Sequence, residues 1–157
     1  MKRFLFMIAV GMAQSVLVAD KKPAGKEQSA IIEKAIRSEL KKLEGELTKA
    51  DFKQVRGLNL DVSSADRFRA GVRMKEAGLK ELVKLPQLER LRLHGNQLTD
   101  VSPLARLTQL MLLHLGNNRL NDVSALAKLN QLKTLHLSFN GLTDVGPLAK
   151  LTQLEYL

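Results

Sequence analysis

The chain has 157 residues, 45% apolar and 26% charged, with a net charge of +9, a composition and length that suit one globular domain. The positive charge is spread out, with no Arg/Lys run interleaved with aromatics, so a nucleic-acid-binding class is excluded and a modest bias toward acidic partners remains. Cysteine is absent, which excludes disulfides, thiol catalysis, cysteine-zinc sites and a lipidated-cysteine tether, and leaves the redox compartment open.

Residues 1–19 are expected to form a secretory signal peptide. Met1-Lys2-Arg3 is a cationic start, 4–12 is an apolar run softened only by Gly11, and the small residues a signal peptidase inspects end at Ser15 or Ala19. The run is short for a membrane anchor and contains Gln14. Removal of the leader takes Lys2 and Arg3 with it, lowers the charge from +9 to +7, and leaves no stable membrane span. Residues 20–28, Lys-rich with Pro23 and Gly25, read as a flexible spacer.

A helical cap is expected over 29–57. Ser29 caps a helix over 30–43 that places Ile32, Ile36, Leu40 and Leu43 on one face, and Gly45 ends it. Thr48-Lys49-Ala50-Asp51 is a capping-box-like start for a second helix through about Val55. Leu58-Asn59-Leu60 then has the alternation of a strand, opening an irregular first repeat over 58–81. From Leu58 to Leu91 is 33 residues, eleven beyond one period. With Met74 as the counterpart of Leu98, nine of the extra residues fall in 61–73, where Arg67, Phe68, Arg69 and Arg73 make a basic insertion, and two fall between Met74 and Leu82. Such an insertion is tolerated as a surface loop, with a contact role as the alternative.

Residues 82–157 repeat with a period of 22, the step from Leu82 to Leu104, giving three full copies and an incomplete fourth. The columns are Leu82/Leu104/Leu126/Leu148, Leu85/Leu107/Leu129/Leu151, Leu88/Leu110/Leu132/Leu154, Leu91/Leu113/Leu135/Leu157, Leu93/Leu115/Leu137 and Leu98/Leu120/Leu142, with Val101/Val123/Val145 alongside. Two periodicities alternate within each copy: a period of two around Leu91-Arg92-Leu93 marks a strand, and the threefold spacing from Leu82 to Leu88 suits a 3₁₀ turn. A chain that runs strand, bend, turn, bend returns one strand spacing, about 4.8 Å, from where it began. One such coil buries too little to stand alone, so the array is the unit of stability. Asn96/Asn118/Asn140 are expected to satisfy backbone groups at the bend, and Asp100/Asp122/Asp144 to bond their own turns, in preference to a row of cation-binding carboxylates. Pro103 and Pro147 start the next helical turn.

The pattern L-x-x-L-x-L-x-x-N-x-L at this period resembles the leucine-rich repeats of bacterial internalins and of eukaryotic protein-phosphatase regulatory subunits. The segment carrying Ala35-Ile36-Arg37, Gly45-Glu46-Leu47-Thr48-Lys49-Ala50-Asp51-Phe52 and Leu58-Asn59-Leu60 is similar to the helical N-terminal cap of internalin-type proteins. The resemblance implies an α/β fold: a leucine-rich-repeat solenoid, a right-handed β-α superhelix with a parallel concave sheet and an N-terminal helical cap. It also implies a role in binding a protein, or a glycan, on the concave strand face.

That face is lined by the residues between the leucines: the columns Arg90/Leu112/Thr134/Tyr156, Arg92/His114/His136 and His94/Gly116/Ser138, with Asn59 and Asp61 on the cap strand. Exposed Leu112 beside Arg, His and Tyr is the mixture of an interface hot spot. His114 and His136 should stand about 5 Å apart on adjacent strands. Arg92 is their neighbour in place of a third ligand, so no metal site or cofactor is expected, and the pair should gain charge below about pH 6.5. No phosphate loop, catalytic triad or carboxylate pair outside the turn column is present, so no enzyme is expected. The expected function is an exported binding module, secreted, periplasmic or at the cell surface, whose partner is a protein or polymer. The alternatives are an intracellular regulatory subunit of the phosphatase-regulator kind and a fragment with no function of its own. The stop at Leu157, inside a fourth strand motif, is read as a gene fragment or part of a longer protein, ahead of a half that dimerises end to end through an open edge.

Overall fold

A computed structural model of the chain describes residues 24–62 and 73–157. The expected leader, the first residues of the spacer and Arg67, Phe68 and Arg69 of the insertion lie outside the described residues. The element order is α1 (Ala24–Leu40), α2 (Lys49–Gln54), β1 (Gly57–Asn59), α3 (Glu76–Leu82), β2 (Arg90–Arg92), β3 (Leu112–His114) and β4 (Thr134–His136), with 3₁₀ helices at Ser102–Arg106, Ser124–Lys128 and Gly146–Lys150 after the last three strand turns. The four strands pair in parallel in the order β1-β2-β3-β4, so each coil lies beside its sequence neighbours. Leu58, Leu91, Leu113 and Leu135 share one register and all are buried. A bridge from Thr134 to Tyr156 carries the same pairing one coil further.

Helix α1 already includes 24–29, ahead of the expected start after Ser29, so the end of the expected spacer is helical. Gln28 anchors this stretch and is fully buried: its Nε2 donates to the Arg73 carbonyl (3.1 Å) and its Oε1 accepts from the Lys75 amide (2.6 Å). Gln28, Ile32, Ile36 and Leu40 thus form an inward stripe at every fourth residue. The helix closes before Leu43, which is 83% exposed rather than packed. Lys41 takes a left-handed φ of 53°, Lys42 N bonds Arg37 O (3.0 Å) and Lys41 N bonds Ser38 O (3.3 Å), a Schellman closure that ends α1 five residues before Gly45. Gly45, at φ 78°, serves the turn that follows.

The capping box is present: Thr48 Oγ1 accepts from Asp51 N (3.3 Å) and Asp51 Oδ2 accepts from Thr48 N (2.6 Å). Lys42 Nζ also donates to Asp51 Oδ2 (2.9 Å), and this ammonium, then the Thr48 bonds, hold the Asp51 carboxyl down from 3.8 to about 2.

Met74 is the counterpart of Leu98. Its amide donates to Asn96 Oδ1 (2.7 Å) as Leu98 N does to Asn118 Oδ1 (2.9 Å) and Leu120 N to Asn140 Oδ1 (3.0 Å). The two extra residues that follow explain why α3 is a seven-residue α-helix where the later copies carry five-residue 3₁₀ helices. The turn carboxylates act as expected, with Asp100, Asp122 and Asp144 Oδ1 each accepting from the amide two residues on at 2.7 Å.

Candidate functional site

Strand pairing ranks the concave side chains in three rows. The first holds Gly57, Arg90, Leu112, Thr134 and Tyr156, and the second Asn59, Arg92, His114 and His136. The third continues past the strands, where Val62 N bonds His94 O (2.9 Å), Gly95 N bonds Gly116 O (3.1 Å) and Asn117 N bonds Ser138 O (2.8 Å). The structure therefore brings all ten sequence-derived residues onto one face. Asn59, Arg90, Arg92, His136, Ser138 and Tyr156 are exposed, while His94, His114 and Thr134 are half-buried. Leu112 is also half-buried, not exposed, because it is enclosed in its row between Arg90 and Thr134.

The bends behind the sheet fix this arrangement. Asn118 Nδ2 donates to the Leu93, Leu115 and Gly116 carbonyls at 3.0, 2.8 and 3.2 Å while its Oδ1 takes Leu98 N, so the side chain ties two coils together. Asn96 and Asn140 repeat the role.

Sequence spacing places two histidines together; the structure places three. The His114 and His136 rings stand 5.0 Å apart edge to face, and His94 lies 5.2 Å from His114 on the other side. Gly116 eases this: a Cβ there would lie 3.2 Å from His94 Nδ1 and 3.3 Å from His114 Nε2, so both rings would have to give by a few tenths of an ångström to admit a side chain. His94 Nδ1 is buried with no hydrogen-bond partner among the described residues. The His114 imidazole titrates below the ordinary histidine value because burial disfavours its charge; Asp61 opposes the shift, while His136, His94 and Arg92 add to it. Asp61 is held in place by accepting His94 N (2.7 Å) on Oδ1. Among the described residues no group of three His, Cys, Asp or Glu is placed to hold a metal ion.

Phe139 is the residue that sequence reasoning missed. It follows Ser138, is 85% exposed, and adopts a left-handed φ of 58°. The same column holds Gly95 (φ 74°) and Asn117 (φ 53°), residue types that accept this conformation readily, and that contrast is a signal in the sequence. A separate groove of about 470 Å³ in the cap, with Ile32, Ile36, Leu47, Phe52 and Leu85 among its lining, includes none of the concave residues. No helix among the described residues is long and apolar enough to cross a membrane.

Comparison with known proteins places these features. Residues 86–128 match a family described as leucine-rich repeats in two copies, and residues 128–147 match a further leucine-rich-repeat family. An internalin of Listeria monocytogenes, InlF, is similar in structure with a TM-score of 0.66 and 30% identity over 88% of this chain and 38% of its own. Internalin C2 of the same organism is similar with a TM-score of 0.57 and 26% identity over 81% of this chain and 62% of its own. A leucine-rich-repeat protein of Leptospira interrogans shares the fold with a TM-score of 0.54 and 23% identity over 69% of this chain and 32% of its own. The chain thus spans less than two thirds of the length of each of these proteins. No curated protein matches it significantly in sequence.

Proposed function

The chain is a leucine-rich-repeat solenoid of internalin-like architecture, and from that premise we propose that it is an exported module that binds a protein partner on its concave face. The observation that carries this reading is the register of the four strands and its continuation just past them, which lines up exposed Arg90, Arg92, His136, Ser138 and Tyr156 with half-buried His94 and His114 on one face. Aromatic, arginine and histidine side chains on a rigid sheet are suited to recognition, since they meet a partner with little freedom left to lose. The work of such a face is binding rather than catalysis, and its setting is secreted, periplasmic or at the cell surface.

Two measurements test the reading. Affinity capture with the full chain and with an Arg92→Glu/His114→Glu variant should give different partner sets; identical sets would remove the concave face from recognition. Sequencing the N-terminus of the mature protein should find it beginning near Ser15 or Ala19, and an intact Met1 in soluble cytosol would end the claim of export.

A further inference from the structure

Resting on the concave-face reading, we propose that this face takes an acidic segment of its protein partner, whose carboxylates meet Arg92 and the His94–His114–His136 row. The charge balance of the sheet points there. Along the lip that precedes the strands, charges pair within the molecule: Arg56 Nη1 meets Glu89 Oε1 at 2.9 Å, and Lys133 Nζ meets Glu155 Oε1 at 3.7 Å. One row inward that pairing stops. Arg92 stands in no ion pair with any described residue, although it is exposed and flanked by Asn59 and His114.

Among the described residues two carboxylates face this ground, and neither neutralises it. Glu39 of α1 lies over Gly57 beside the Arg90 guanidinium, each within 3.4 Å of where a Cβ would sit on that glycine, and so belongs to the first row. Asp61 faces His114 but gives an oxygen to the His94 amide. The second and third rows therefore present a guanidinium and three imidazoles to a single bound carboxylate. Bonds from guanidinium or imidazolium to carboxylate are among the stronger polar contacts, and here the donors are already fixed on paired strands.

The same arrangement makes binding depend on acidity. Burial resists a proton on His114 and Asp61 favours one, while His136, His94 and Arg92 add to the resistance. A carboxylate arriving from a partner tips that balance, so complex formation takes up protons and affinity rises as pH falls. A partner segment of neutral or basic character would show the opposite trend or none.

The test uses fluorescence anisotropy of the full chain with dye-labelled peptides of alternating Glu and Gly or alternating Lys and Gly, at physiological salt. The Glu peptide is expected to bind and the Lys peptide not to. Arg92→Gln should weaken binding by about tenfold, as the loss of charge-assisted contacts implies. Lys128→Gln removes the same single charge from the end of a 3₁₀ helix outside the sheet, and should change binding less than about twofold. Affinity should rise severalfold between about pH 7.5 and 5.5, and His114→Gln/His136→Gln should flatten that rise. Equal weakening by the two charge-removing variants, no preference for the Glu peptide, or an unchanged pH response in the histidine variant would each overturn the proposal. If affinity capture still responds to Arg92→Glu/His114→Glu while the Glu peptide ignores the concave variants, the acidic chemistry fails and the docking face stands. If neither responds, both fail.

Discussion

Asn118 does at one position what the repeat needs at every bend. It is buried, and its amide closes three carbonyls and one backbone N–H that no water reaches. Asn118→Ala is expected to destabilise the fold by about 3 kcal/mol, because several buried backbone groups lose their partner at once. Asn140→Ala, at a half-buried position where water substitutes, should cost less; equilibrium urea unfolding of both variants checks the order. This role is readable in the sequence because Asn recurs at the point where the strand period breaks. Phe139 is the reverse case. Its column carries Gly and Asn, and an exposed phenylalanine held at φ 58° has neither burial nor an easy backbone to recommend it. Phe139→Asn should therefore raise stability by about 1 kcal/mol, measured as an increased urea midpoint with an unchanged slope. The Gly and Asn of its column signal this conformation in the sequence, whereas the hydrophobic pattern alone treats Phe139 as one more apolar residue.

At the scale of elements, the junction between α1 and α3 governs the cap. A Cβ on Gly78 would sit 2.5 Å from Met74 Cε and 2.6 Å from Gln28 Oε1, and that oxygen is engaged by the Lys75 amide. An alanine inside a helix is ordinarily favoured over glycine by about 1 kcal/mol, yet Gly78→Ala is expected to lower the thermal midpoint, because making room breaks the Gln28 bridge. A rise in the midpoint would show that the bridge contributes little. The second cap element answers to acid. Asp51 is held near 2 in the folded chain against 3.8 ordinarily, so its contribution is fully present above the ordinary carboxylate value and is lost as pH falls from about 4 toward 2. Unfolding midpoints of the wild type and of Asp51→Asn should therefore differ near neutral pH and draw together in that acid window. The Thr48 box was legible because its two partners lie three residues apart, within the reach of local pattern. The helical stretch of α1 ahead of Ser29 was not. Gln28 becomes a buried residue only through Arg73 and Lys75, 45 and 47 residues away, and no local periodicity carries that information.

Across the whole molecule, burial follows the stacking. Leu91, Leu113 and Leu135 are sealed completely, and Val101 and Val123 are 1% exposed, whereas Val145 in the last described coil is 48% exposed. Leu113→Ala, in the middle of the stack, is expected to cost about 2–5 kcal/mol and to lower the far-UV signal of the entire chain in one transition. Val145→Ala should cost less than about 1 kcal/mol, since much of its surface is already in water. The architecture and the ranking of Arg92, His114 and His136 were open to sequence reasoning because a constant period fixes register without knowledge of any distant contact. The third histidine was not, because its approach to His114 is eased by what Gly116 lacks. Nor was the enclosure of Leu112, which depends on the bulk of the side chains flanking it in its row.

The in-order pairing of β1 to β4 has a consequence for how such a chain can change. Each rung is joined to the rungs before and after it, so excising residues 104–125, one full period, would join Pro103 to Leu126 and let the remaining rungs close ranks. The shortened ribbon would seat His136 where His114 had been, directly against Arg92. Its length therefore comes in whole steps, and loss or duplication of one step rewrites which side chains are neighbours while leaving the scaffold beneath them as it was.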